Sequence, residues 1–222
     1  MITVHHLNNS RSQRVLWLLE ELEIPYTIKF YERDKKTMLA PPELKQIHPL
    51  GKSPVVTDGD LVVAESGAIV DYLIRRYGKG KMKPQDGTKE DVRYSYWLHY
   101  AEGTLMPPLL LSLIFSQIPK QPMPFFVRPI ANQIAKAVKS SFIFPQIKLN
   151  LDFVENELSN RDWFAGDDIT GADIMMSFPL EAAGARVGDE SRPAIRRFLS
   201  RIQSRPAYQE AVRKGGPFSI PG

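Results

Sequence analysis

From Met1 to about residue 77, short apolar runs with the two-residue alternation of strands interchange with stretches of helical spacing. Ile2 to His5 reads as extended, Ser10 to Glu23 as a helix with apolar face Val15, Leu18, Leu19 and Leu22, Tyr26 to Tyr31 as extended, and Pro42 to Ile47 as a short helix. Val55-Val56 and Leu61 to Val63 flank Asp58-Gly59, a strong two-residue turn signal, and so predict an antiparallel hairpin. Glu65-Ser66 then opens a helix whose apolar positions are Ile69, Val70, Leu73 and Ile74. A βαβ unit followed by a ββα unit is the pattern of a small α/β domain.

Beyond about residue 88 the period is helical only, over Glu90 to Leu105, Pro129 to Leu158, Gly171 to Ala185, Pro193 to Ser204 and Ala207 to Lys214. The pattern predicts an α/β domain over residues 1–77, a linker over 78–87 rich in Gly, Lys and Pro, and an all-α domain over 88–222. Pro107-Pro108 lies in the apolar continuation of the first of these helices and is expected to kink or break it. Thr170-Gly171-Ala172-Asp173 is a capping-box signature, with Ile169 and Ile174 placed as a hydrophobic staple.

Composition narrows the function classes. The chain has 222 residues, 43% apolar and 24% charged, with a net charge of +4 carried by dispersed Lys and Arg. No basic run of five or more occurs, which argues against nucleic acid as the main partner. The amino terminus has no basic region leading into an apolar core, and the apolar run Leu109 to Phe115 is shorter than the roughly 20 residues of a membrane span. The expectation is a cytoplasmic protein with no membrane span. Cysteine is absent, which removes disulfides, Cys-ligated metals and any protein thiol nucleophile. His5, His6, His48 and His99 have no metal-ligand spacing, so no metal is expected.

The densest chemistry lies between His48 and Leu73. Pro54 cannot donate to a ladder and suits the first residue of a strand, and a cis Ser53-Pro54 bond would turn the Ser53 amide and carbonyl outward for recognition. The orphan N–H groups of a helix opening at Glu65-Ser66 would face the same cleft and welcome a carboxylate.

Three stretches carry a resemblance over essentially the whole chain: Ser10 to Leu19 (Ser-Arg-Ser-Gln-Arg-Val-Leu-Trp-Leu-Leu), Ala40 to Pro54, and Gly171-Ala172-Asp173-Ile174. In their order and spacing the chain resembles the cytosolic glutathione transferases, most nearly the GTT class met in fungi and bacteria. The resemblance implies a thioredoxin-like α/β N-terminal domain with an all-α C-terminal domain, glutathione as co-substrate and a homodimer. It places the γ-glutamyl end of glutathione on Glu65 and Ser66, the cysteinyl backbone on Ser53 beside Pro54, and the glycyl carboxylate near Lys52. Relatives often carry a basic or histidine residue in the loop before the second helix; here Met38 and Leu39 stand, leaving Lys52 and Lys36 for that carboxylate.

Conjugation needs glutathione as thiolate, and lowering a free thiol's pKa by about two units from about 8.5 takes roughly 2.7 kcal/mol. One hydrogen bond to a charged group supplies about 1.5 to 3 kcal/mol, so a single donor at the start of the first helix suffices. The resemblance, anchored on Arg14, offers Ser10 for that donor and Asn9 as its competitor. With Asn9-Ser10-Arg11 in place of Ser-Ser-Cys, the chain departs from the maleylacetoacetate isomerases. Tyr96, Tyr100 and Thr104 share a helical stripe with Gly103 and Pro107 and are the expected pocket for the second substrate, with Phe218 able to fold over the cleft. The activity implied is conjugation of hydrophobic electrophiles, with peroxide reduction also open. The alternative is a non-catalytic scaffold or ligand carrier on the same fold.

Overall fold

The structure, a computed structural model, describes residues 1–34, 37, 39–187 and 191–216. Lys36, Met38 and Phe218 lie outside the described residues. The chain begins with β1 (Ile2–Leu7), α1 (Ser12–Glu21), β2 (Tyr26–Tyr31), a one-turn α2 (Leu44–Ile47), β3 (Val55–Asp58), β4 (Leu61–Ala64) and α3 (Ser66–Tyr77). The four strands form one sheet in the order β2-β1-β3-β4, with β1 and β2 parallel and the other pairs antiparallel. Asp58 pairs with Leu61, so the two-residue turn is Gly59-Asp60, one position later than the dipeptide signal. Gly59, at φ 59°, supplies the left-handed backbone that this turn requires.

Everything after α3 is helical among the described residues. α4 (Lys89–Tyr100) passes through a π-helical turn (Ala101–Leu105) into α5 (Met106–Gln117), and α6 (Arg128–Val138) passes through a second (Lys139–Ile143) into α7 (Phe144–Ser159). α8 (Gly171–Val187), α9 (Pro193–Gln203) and α10 (Pro206–Gly215) follow. Pro107-Pro108 neither breaks nor sharply ends the helix. The π turn absorbs the missing donors by resetting the hydrogen-bond ladder, and the prolines fall in the first turn of α5, where a free N–H would be orphaned anyway. The same device precedes Pro145 in α7. The continuous helix from Lys89 to Lys120 has 32 residues and is long and apolar enough to cross a bilayer by length and composition. Its inner face, with Tyr94, Trp97, Leu105 and Leu109, lies in the core.

The element on which the site depends is α1. Residues Ser12 to Leu19 are all buried, polar and apolar alike, because the sheet covers one side and α8 and α10 cover the other. Trp17 meets Tyr208 of α10 edge-on at 5.3 Å, and Glu21 and Glu20 pair with Arg205 and Lys214. α8 is held at its start by Asp173. Its carboxylate accepts from the Phe164 N–H at 2.9 Å and from the Thr170 N–H and hydroxyl, both at 2.8 Å.

Burial pushes the Asp173 carboxyl up to about 6 even though three donors favour the anion. Between the ordinary value of 3.8 and about 6 the folded protein therefore binds more proton than the unfolded chain, and its stability falls as pH rises through that window. We predict that Asp173→Ala lowers the unfolding free energy by about 2 to 4 kcal/mol in urea titration, through loss of the cap and stranding of buried donors, and removes this pH slope. Equal stability of variant and wild type would contradict the assignment.

Candidate functional site

The loop between β1 and α1 is built on buried polar contacts. Gly215 at the end of α10 accepts from His6 Nε2 at 3.0 Å, His6 Nδ1 lies 2.9 Å from Ser12 Oγ, and Ser12 Oγ lies 2.8 Å from Ser10 Oγ. The Ser12 N–H donates to Ser10 Oγ at 3.2 Å and the Leu7 N–H to Ser12 Oγ at 3.3 Å. Ser10 is 4% exposed. Asn9 is half-buried at φ 48°, a left-handed position that asparagine tolerates better than most residues.

Facing this loop are the Ser53-Pro54 peptide, which is cis, and the start of α3. β3 pairs with β1 only as far as Val55 opposite His5, so the Ser53 amide and carbonyl lie beyond the ladder, while the Ser53 hydroxyl donates to the His5 carbonyl at 3.0 Å. Glu65 stands at φ 72°, where a residue with a Cβ is strained by about 1 to 3 kcal/mol. Its exposed carboxylate makes no capping bond to α3. Ser66 is buried and accepts from Arg14 Nη2 at 3.1 Å, which leaves its hydroxyl proton and the first-turn N–H groups of α3 for a ligand.

Arg14 joins the two halves of the chain. Its side chain is 2% exposed; Nη1 donates to the Met175 carbonyl of α8 at 2.7 Å, and Nη2 donates to Ser66 and to Glu102 in the first π turn. Glu102 also takes Arg11 Nε at 3.0 Å, and both guanidinium groups lie about 5.5 Å from the Phe178 ring centre, within cation–π range. Burial alone would push Glu102 up, but the two arginines override it and hold the carboxyl below its ordinary 4.5.

Arg11, Ser53, Glu65, Ser66 and Glu102 border a cleft with two compartments, and Asn9 and Ser10 are not among its lining residues. The smaller, about 220 Å³, is walled by Arg11, Lys52, Ser53, Pro54, Glu65, Ser66 and Glu102. The larger, about 740 Å³, shares Arg11, Leu50, Lys52 and Ser53 with it and adds Leu7, Arg33, Lys45 and Pro41. Gly51 holds Lys45 there: at φ 56°, a Cβ on it would sit 2.7 Å from the Lys45 Cγ. Lys52, Ser53, Pro54, Glu65 and Ser66 thus converge as their spacing predicts. Arg11, Lys45 and Glu102 were not singled out in the sequence; Glu102 lies 88 residues from Arg14, and nothing local marks the pair.

The tyrosine stripe is a correction. Tyr100 is buried and its hydroxyl donates to Asn150 Oδ1 of α7 at 2.6 Å, while Tyr96 stacks on Tyr100 at 5.6 Å and both rings meet Phe153. The groove holding Tyr96, Tyr100 and Thr104 is lined by residues of 91–104 alone, and no residue of the sheet reaches it. Of the stripe only Tyr96 and Tyr100 meet α7, while Gly103, Thr104 and Pro107 are exposed. The cleft is met by Glu102, which points the other way.

Two family descriptions match this chain: the N-terminal domain of glutathione S-transferase over residues 1–75 and its C-terminal domain over residues 121–206. Glutathione S-transferase 3 of Schizosaccharomyces pombe is 37% identical over 96% of this chain and 88% of its own. Glutathione S-transferase 1 of Saccharomyces cerevisiae is 36% identical over 96% and 95%. The chain belongs to the glutathione S-transferase family. A solved glutathione S-transferase from Actinobacillus pleuropneumoniae superposes on this transferase with a TM-score of 0.80 at 38% identity, covering 97% of this chain and 93% of that one. Fold class and enzyme class are therefore those the motifs imply, a thioredoxin-like domain with an all-helical partner, catalysing glutathione transfer.

Because the Glu102 carboxyl is held down in the folded transferase, its stabilisation is present above about pH 4.5 and is lost as pH falls through the native value. Glu102→Gln leaves the Arg14 charge buried without its counterion. We predict a loss of about 3 kcal/mol at pH 7, the lower end for a broken buried pair, and no further loss from this pair on acidification. A variant that keeps the wild-type acid slope would contradict the assignment.

Proposed function

We propose that the cleft binds glutathione with its γ-glutamyl end in the smaller compartment and activates the thiol through Asn9. The ammonium of that end meets Glu65, and its α-carboxylate meets the Ser66 hydroxyl and the first-turn N–H groups of α3, with Arg11 adjacent. The Ser53 amide and carbonyl, free of the sheet, suit the cysteinyl backbone. The glycyl carboxylate then runs toward Lys52 and Lys45 in the larger compartment, so Lys45 takes the role that the loop before α2 fills in many relatives. The observation that carries the reading is the convergence of Glu65, Ser66 and Ser53 on one cleft with Arg11.

Asn9 is preferred to Ser10 because its amide always has an N–H to donate, whereas the Ser10 hydroxyl is buried against Ser12. The product is a thioether on hydrophobic electrophiles, and the same thiolate can reduce a peroxide without a protein cysteine. Replacing Asn9 by Ala should raise the pKa of the bound thiol by about one to two units, the equivalent of one hydrogen bond to an anion. Conjugation of a chlorodinitrobenzene-type substrate near neutral pH should fall about ten- to a hundred-fold. An unchanged rate would refute the donor, and no glutathione-dependent rate in wild type with several electrophiles and peroxides would favour a ligand carrier.

We further infer a cytoplasmic homodimer, divided as residues 1–77, 78–87 and 88–222. Val92 is 69% exposed, Leu110 45%, Ile114 46%, Ile134 57% and Leu149 65%, which leaves apolar side chains along the long helices available to a second copy. Light scattering should return twice the chain mass. Ile114→Glu with Ile134→Glu should return the chain mass; a monomer in the wild type would refute the inference.

A further inference from the structure

The buried hydrogen bonds from α10 to the α1 loop turn the Ser10 proton inward. The Gly215 carbonyl can only accept, so His6 Nε2, 3.0 Å away, carries a hydrogen. Burial pushes the His6 imidazole below its usual value, so it is neutral at pH 7 and Nδ1 presents a lone pair. The hydroxyl that meets Nδ1 is Ser12 Oγ at 2.9 Å; its one proton goes there or to the Leu7 carbonyl 3.3 Å away, and either acceptor draws it away from Ser10. The two lone pairs of Ser12 then receive the Leu7 N–H at 3.3 Å and the Ser10 hydroxyl at 2.8 Å. Ser10 in turn accepts the Ser12 N–H at 3.2 Å. Its only proton points into the protein, and a thiolate, which has no proton either, finds no donor in it.

We propose that His6 and Ser12 are positioning residues that turn the Ser10 proton away from the cleft and reserve thiolate stabilisation for Asn9, with the end of α10 setting the direction of the chain. The proposal rests on reading the cleft as a thiol-activating site. A second observation supports the role of α10: a Cβ at Gly215 would lie 3.3 Å from His6 Cε1, 2.6 Å from Gln13 Oε1 and 2.7 Å from Leu16 Cδ1, so a side chain there would have to displace Gln13 and Leu16 and would crowd His6. Among the described residues, His6 makes no bond to a charged side chain. Its ring meets Phe30 of β2 edge-on at 5.7 Å, and its two nitrogens are taken by Gly215 and Ser12. The tautomer is thus set by one backbone carbonyl, 209 residues away in sequence.

The test is rescue. In the Asn9→Ala variant the ultraviolet thiolate band of bound glutathione should titrate about one to two units higher than in wild type. Adding Ser12→Ala removes the inward acceptor, frees the Ser10 proton to turn to the sulfur, and should recover at least about a ten-fold gain in thiolate fraction, one unit of pKa. Adding Ser10→Ala to that pair should abolish the recovery. No recovery in the double variant, or recovery that survives loss of Ser10, overturns the relay. Nitrogen NMR of the His6 ring in the unmodified protein should show the Nε2–H tautomer; the Nδ1–H form overturns the relay whatever the variants do. If wild type itself forms no thiolate, the thiol-activation reading fails instead, and the relay is decided by the tautomer alone.

Discussion

A buried guanidinium needs partners, and the two terminal nitrogens of Arg14 find them in parts of the chain that are far apart, while its Nε is buried without one. Its contacts are Ser66 at the start of α3, the Met175 carbonyl in α8 and Glu102 in the turn between α4 and α5. A cation 2% exposed cannot be left unpaired without a penalty of several kcal/mol. The helical half is therefore tied to α1 and α3 through Glu102 and Ser66, which also wall the cleft. Glu102 serves both purposes: it neutralises Arg14 in the core and stands with Arg11 in the wall that faces the ligand. Assembly of the fold and assembly of the site are the same event.

α1 transmits this constraint to the chemistry. A helix buried on all sides between a sheet and two other helices has little freedom, so the loop before it is placed by β1 beneath and by α10 behind. The polar residues that would be a liability there, His6, Ser10 and Ser12, satisfy one another in a chain that ends on a backbone carbonyl. Asn9 stands at the left-handed turn just outside this set of bonds. Glu65 is held in a strained conformation opposite, with its carboxylate uncommitted. Carboxylate and helix amino terminus are thus presented together at the start of α3.

What the chain reveals before folding follows from the range of each interaction. The β3–β4 hairpin, the start of α3 and the Asp173 cap are local devices, set by residues within about four positions of one another, and they were legible in the pattern of residues 55–74 and 169–174. So was the set Ser53, Pro54, Glu65 and Ser66, because a strand and the next helix bring them together whatever the rest does. Glu102 was invisible because its partners are Arg11 and Arg14 at the other end of the chain. Tyr96 and Tyr100 were misjudged for a related reason: helical spacing shows that residues share a face, not what the face meets, and here it meets α7. The two π turns escaped as well, since a helix that resets its ladder before a proline looks, in sequence, like a helix that ends.

In the proposed reading one cleft binds glutathione and Asn9, rather than Ser10, faces the sulfur. A crystal structure of the protein with glutathione tests it directly. The account predicts the γ-glutamyl group on Glu65 and Ser66 and the sulfur within roughly 3 to 3.5 Å of the Asn9 amide nitrogen, slightly longer than a hydrogen bond to oxygen. The Ser10 hydroxyl should remain on Ser12. A sulfur seated on Ser10 Oγ, with the contact to Ser12 broken, would contradict it.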